Sequence, residues 1–222
     1  MKVCTDSCLF GAWVVNKIKS SGLQANHILD IGTGTGLLSL MLAQETKARI
    51  DAVEIDPAAS LQARENFLHS PWKDRLRLFN QPVQEYKPVQ AYDLVISNPP
   101  FFENDLQSED ERKNNAKHSN SLSLEELAKL MKQAIHTGGY CAILLPFYRE
   151  AYFEQMSMEL GLFVAKRLRV QQTVAHPFFR SCLLLSVEKA PLIDTEEIFI
   201  HDADRKYGPA FTELLKDYYL YG

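Results

Sequence analysis

The stretch Asp30-Ile31-Gly32-Thr33-Gly34-Thr35-Gly36 constrains this chain more than any other. An apolar run, 27–29, leads into it, and a helical run, 37–44, leads out. The order is therefore strand, glycine-rich turn, helix. Glycine lets a chain turn through positive φ and lets its backbone approach a ligand closely. The following helix N-terminus presents free N–H groups to an anion. The spacing is G-x-G-x-G, with Leu37 where the dinucleotide fingerprint G-x-G-x-x-G wants its third glycine. A second apolar run, 50–53, ends in Glu54, where a ribose-binding carboxylate is expected. A third ends in Asn98-Pro99-Pro100-Phe101.

Strand and helix patterns continue to alternate. Strands are expected at 27–31, 49–53, 76–79, 92–97 and 140–145. Helices are expected at 7–19, 37–44, 57–67, 123–136 and 148–160. Thr5 or Asp6 is a candidate cap for the first helix, Asp56-Pro57 starts the third, and Ser123 with Glu126 forms a capping box. Such alternation implies an α/β fold, a parallel sheet with helices on both faces. Segments 163–170 and 181–188 read as an antiparallel pair at the sheet edge, followed by a short strand at 197–200 and a helix at 209–218. In such sheets ligands bind at the carboxyl ends of the strands, so Gly32–Gly36, Glu54 and Asn98 should share one rim.

Length and composition set limits. The 222 residues suit one domain, read as an N-terminal helical segment (1–26), a catalytic core (27–189) and a strand–helix extension (190–222). No apolar run approaches the ~18 residues of a membrane span. The four cysteines (Cys4, Cys8, Cys141, Cys182) include no Cys-x-x-Cys pair and no Cys/His cluster. That pattern points to free thiols in a reducing, cytoplasmic setting without a metal site. The net charge of −4 argues against a uniformly basic nucleic-acid binder but leaves room for a local patch. One candidate patch exists. Between 160 and 187 there is no acid, but there are Lys166, Arg167, Arg169, His176 and Arg180. These cations either protect an edge strand or hold RNA phosphates. A polar loop, 102–123, carries Arg112, Lys117 and His118 and is expected to face substrate.

Taken together, Asp-x-Gly-x-Gly-x-Gly, the late acid and Asn-Pro-Pro-Phe resemble the S-adenosylmethionine-dependent methyltransferases that act on amino groups. The opening Lys2-Val3-x-Thr5-Asp6-Ser7, then Leu9-Phe10-Gly11-Ala12-Trp13, is similar to the signature of the bacterial tRNA-Val adenine-N6 methyltransferases. So is Arg112…Ala116-Lys117-His118 with 122–127. The resemblance covers nearly the whole chain and implies a Rossmann-like class I fold. That fold is a mostly parallel seven-stranded sheet with an antiparallel edge strand. It also implies some residues upstream of the opening signature. The implied activity is N6-methylation of the adenine 3′ of the anticodon, position 37 of tRNA1(Val). The implied cofactor is S-adenosyl-L-methionine and the partner is tRNA, with a monomer favoured. Guanine-N2 methylation of ribosomal RNA, glutamine-N5 methylation of a protein, and an RNA-binding module with a vestigial cofactor site are the alternatives.

Roles follow for named residues. An exocyclic amine is a poor nucleophile because its lone pair is delocalised. Carbonyl acceptors for its two N–H bonds favour a pyramidal nitrogen. The Asn98 side-chain oxygen and the Pro99 carbonyl suit that task. Pro99 and Pro100 stiffen the turn, and Phe101, with Phe102, offers rings on which an extruded base can stack. The cofactor contacts expected are Asp30, Gly32, Gly34, Gly36, Glu54 and Asn98. The resemblance adds Thr5 and Asp6 beside the methionine end. A backbone contact near Val83 is expected where relatives place an acid, since Asn80-Gln81-Pro82-Val83 has none. Lys166, Arg167, Arg169 and Arg180 are the candidate RNA contacts.

Overall fold

The computed structural model describes residues 4–100 and 122–219. The chain begins with helix α1 (Thr5–Ser21), then alternates through β1 (His27–Ile31), α2 (Leu37–Glu45), β2 (Arg49–Glu54), α3 (Pro57–Leu68), β3 (Leu76–Asn80) and β4 (Tyr92–Ser97). After the turn at 98–100 and the stretch 101–121 come α4 (Leu124–Ala134), β5 (Ile135–Pro146), α5 (Glu150–Glu159), β6 (Phe163–Gln171), β7 (Phe178–Ser186), β8 (Asp194–Phe199) and α6 (Pro209–Leu215).

One sheet carries all eight strands in the order β3-β2-β1-β4-β5-β7-β6-β8. Strands β1 to β5 pair in parallel. The expected antiparallel strand is β7, paired antiparallel with both β5 and β6. The segment expected at 197–200 is longer and joins β6 in parallel as β8, so the described residues form eight strands rather than seven.

Alternate side chains of each buried strand face opposite cores. Ile28, Ile50, Leu94, Ala142 and Leu184 pack with α1, α2 and α6 through Phe10, Trp13, Leu42 and Phe211. On the other face Leu29, Val53, Val95, Ile143 and Leu183 pack against Leu127 and Met131 of α4 and Phe153 of α5. Burial on both faces is why these strands read as continuous apolar runs.

Local signals hold where the chemistry is local. Asp56 Oδ1 accepts from Ala59 N at 2.7 Å and Pro57 opens α3. Ser123 and Glu126 form a reciprocal capping box at the start of α4. The start of α1 differs from expectation. Neither Thr5 nor Asp6 caps it: Cys4 is the N-cap, without a side-chain bond, and Thr5 is already helical. The helix expected to run to 136 stops at Ala134, because Ile135 has turned extended and begins β5.

Candidate cofactor and methyl-transfer site

Strand register builds the rim. Ile31 lies level with Val53 on one side and Ser97 on the other, and Glu54 lies level with Asn80. The glycine turn, Glu54, Asn80 and Asn98 therefore leave the sheet side by side at its carboxyl edge. Gly32 N and Thr33 N both donate to Val53 O, at 2.8 and 3.2 Å, which fastens the turn to β2.

All three glycines of the turn have positive φ: 70° at Gly32, 58° at Gly34 and 85° at Gly36. The first and last serve different ends. A Cβ at Gly32 would meet nothing within 4 Å, so the backbone there borders open space. A Cβ at Gly36 would lie 2.4 Å from the Phe67 ring. Gly36 exists for close packing of α3 on the turn, which Asn66 reinforces by donating to Thr35 O at 2.8 Å.

Beneath the turn Asp30 is fully buried. Its Oδ2 accepts from Thr33 Oγ1 at 2.6 Å and Ser39 Oγ at 2.7 Å, whereas its Oδ1 has no partner. Burial pushes its carboxyl up to about 6, only partly offset by those hydroxyls, with the Glu54 charge adding to the rise. Asp30 therefore braces the turn with one oxygen and keeps the other for a donor. Glu54 is also buried. Its Oε2 accepts from Gly34 N at 2.8 Å and its Oε1 from Asp56 N at 2.9 Å. A carboxylate has about four acceptor positions, so two remain for ligand hydroxyls. Asn80 Nδ2 donates to Glu54 O at 2.8 Å, which fixes the end of β2.

Asn98 follows β4 directly. Its Nδ2 donates to Ser7 Oγ at 2.8 Å, and its Oδ1 is buried without a partner. A buried acceptor left unmatched costs ~1–3 kcal/mol, so two of them at one rim ask for a ligand. Pro99 is buried and Pro100 exposed, while Phe101, Phe102, Arg112, Lys117 and His118 lie outside the described residues.

The proposed basic patch is largely spent inside the protein. Arg167, 8% exposed, donates to Glu150 Oε1 at 2.7 Å and Glu154 Oε2 at 2.8 Å. Arg169 donates to Glu150 at 2.6 Å and sits over the Phe147 ring. Lys166 pairs with Asp194, and Arg180 with Asp6 at 2.8 Å. The stretch 160–187 lacks acids of its own, but α5, β8 and α1 supply them. Arg167 therefore stands as a core ion pair rather than a phosphate contact. Asp6 accepts from Ser7 N and Arg180 Nε, and Thr5 is exposed. Val83 lies in a single 3-10 turn after β3, its side chain packed against the core.

The methyltransferase small domain family matches residues 11–123. The tRNA1(Val) (adenine(37)-N6)-methyltransferase of Dyadobacter fermentans is 41% identical over 99% of this chain and 91% of its own length. The protein of the same name from Trichodesmium erythraeum is 40% identical over the same shares. The chain belongs to the tRNA1(Val) (adenine(37)-N6)-methyltransferase family. In fold, this family member is also similar to a predicted O-methyltransferase from Agrobacterium tumefaciens, with a TM-score of 0.68 at 14% identity, covering 94% of this chain and 95% of the other.

The rim fits the family's cofactor, S-adenosyl-L-methionine. The open wall at Gly32, the unmatched Asp30 oxygen and the spare acceptor positions of Glu54 are what a ligand with an amino group and a ribose requires. In this family member Ser7, Ser39, Asn66 and Asn80 brace Asn98, Asp30, the glycine turn and the end of β2 through hydrogen bonds, and none of them was assigned that role from the sequence. Ser39 carried a faint signal, a hydroxyl in the first turn of the helix after a buried acid. Asn66 and Asn80 act from other elements and carried none. Among the described residues no group of three or more His, Cys, Asp or Glu could hold a metal, and no helix is long and apolar enough to cross a membrane.

Proposed function

We propose that this chain methylates N6 of adenine 37 in tRNA1(Val), using S-adenosyl-L-methionine. The observation that carries the reading is the buried, unpartnered Asn98 Oδ1 at the end of β4, level with the glycine turn. The names of relatives at 40% and 41% identity supply the substrate and position. When bound, the cofactor supplies an electrophilic methyl group on a sulfonium. The chain's own residues do the rest. Gly32 to Gly36 and Asp30 enclose the methionine end, and Glu54 takes the ribose hydroxyls. Asn98 Oδ1 and the Pro99 carbonyl accept the two N–H bonds of the adenine amine. That withdraws the lone pair from ring conjugation and aims it at the methyl carbon. A cofactor held there would give its methyl group to that lone pair and leave as the neutral thioether, and the surplus amine proton would pass to solvent. Catalysis is then mainly proximity and oriented dipoles. A tRNA substrate supports a cytoplasmic reaction.

The test is single-turnover methylation of unmodified tRNA at saturating cofactor. Asn98→Ala should retain cofactor affinity and lose on the order of 100–1,000-fold in rate. A wild-type rate refutes the mechanism. Nucleoside analysis of the product separates N6-methyladenosine from N2-methylguanosine.

A further inference from the structure

An amide has two ends, and only one of them is an acceptor. If Asn98 were turned over, its NH2 would confront the N–H bonds of the target amine. Something must therefore hold the carbonyl end toward the substrate. We propose that Ser7 is the positioning residue that does so, an inference that rests on the role of Asn98 above. Ser7 Oγ accepts from Asn98 Nδ2 at 2.8 Å, Ser7 is buried, and Asn98 Oδ1 is thereby left without a protein partner. The contact spans ninety-one positions of sequence separation, so it is a product of the fold.

Ser7 is itself held in place. It stands in the first turn of α1, where its N–H donates to Asp6 Oδ1 at 3.0 Å. The other oxygen of Asp6 accepts from Arg180 Nε at 2.8 Å. Arg180 lies on β7, level with Pro146 of β5, and β5 pairs directly with β4, whose end carries Asn98. The latch and the residue it orients are thus referenced to the same sheet. The Arg180 guanidinium also lies over the Phe179 ring at 5.2 Å, which limits its freedom. On this reading Asp6 and Arg180 act on catalysis through Ser7, without touching cofactor or RNA.

The experiment is a double-mutant cycle in single-turnover methyl transfer to tRNA, with cofactor affinity measured by calorimetry. One buried hydrogen bond that orients a reacting group should be worth about two- to ten-fold in rate. Ser7→Ala should lose that factor with cofactor affinity unchanged. Ser7→Cys keeps the shape but offers a weak acceptor, so it should fall between Ser7→Ala and wild type, and it serves if Ser7→Ala folds poorly. In the Asn98→Ala background, Ser7→Ala should cost nothing further, because the amide it orients is gone. A wild-type rate for Ser7→Ala, or the same loss in both backgrounds, overturns the inference while leaving Asn98 in its role. A wild-type rate for Asn98→Ala overturns the function reading and the inference with it.

Discussion

Replacing Gly36 and Gly32 by alanine, one at a time, tests the glycine turn in two separable ways. Both residues have left-handed φ, 85° and 70°, which a Cβ disfavours by ~1–2 kcal/mol. At Gly32 that is the whole expected cost, since a Cβ there meets nothing within 4 Å. At Gly36 the Cβ would stand 2.4 Å from Phe67 Cε1 and 3.0 Å from its Cζ. Phe67 is 4% exposed, so the ring has nowhere to go, and overpacking adds ~1–3 kcal/mol. The totals are ~2–5 kcal/mol for Gly36→Ala and ~1–2 kcal/mol for Gly32→Ala. For a chain of this size that means a fall in Tm of on the order of 10 °C for the first and a few degrees for the second. Cofactor affinity should separate them the other way. The Gly32 methyl would occupy space the ligand needs and should cost at least about ten-fold in Kd, a loss of ~1.4 kcal/mol. Scanning calorimetry and isothermal titration read the two quantities. Shortening Phe67 to Ala should reduce the added cost of Gly36→Ala to the strain alone. If Gly36→Ala melts no lower than Gly32→Ala, the packing argument fails. If Gly32→Ala binds cofactor as tightly as wild type, Gly32 leaves the site.

Arg167→Ala should cost ~1.5–3 kcal/mol of stability, because it removes one of the two guanidinium partners of buried Glu150 and leaves Arg169 and Ser181 on it, while Lys166→Ala should cost under ~1 kcal/mol. A drop in the salt dependence of tRNA binding for Arg167→Ala, with unchanged urea denaturation, would return Arg167 to the RNA surface. The His136–Asp93 pair predicts a pH effect. A hydrogen bond to Asp93, with a second to Thr137 O, raises the His136 pKa. Burial of Asp93 opposes its ionisation but is outweighed by donors from His136, His27 and Asn26, so its pKa falls. The imidazole contribution is therefore complete below about pH 6.5 and is lost as pH rises through the raised value. NMR titration should show His136 moving to a lower pKa in Asp93→Asn, and no such movement would refute the pair.

The parts of the fold that depend on neighbouring residues were legible. Asp56 with Pro57, Ser123 with Glu126, and the apolar runs of β1, β2 and β4 are local statements, and the sheet rim follows from their order. What escaped is pairing across the fold. The acid-free stretch around Arg167 looked basic because its acids lie on other elements, at Glu150 and Glu154. Asp6 looked like a cap, yet it pairs with Arg180, 174 positions away. Ser7 had no visible task until β4 brought Asn98 against it. The extra strand β8 was short in the sequence because its pattern, Asp194-Thr195-Glu196-Glu197-Ile198-Phe199, is polar at an exposed edge. It forms because β6 offers a free side to pair with.

Glu196 of β8 also joins segments far apart in the sequence. Its Oε2 accepts from Trp13 Nε1 at 2.8 Å and its Oε1 from Lys17 Nζ at 2.5 Å, both from α1. Helix α1 is thus anchored by a carboxylate that lies 183 and 179 positions later in the sequence. That helix carries Ser7. The far end of that helix is held by β8 while its first turn is held by Arg180 of β7 through Asp6. Two strands that carry no cofactor residue thereby set where the helix, and with it Ser7, stands against Asn98.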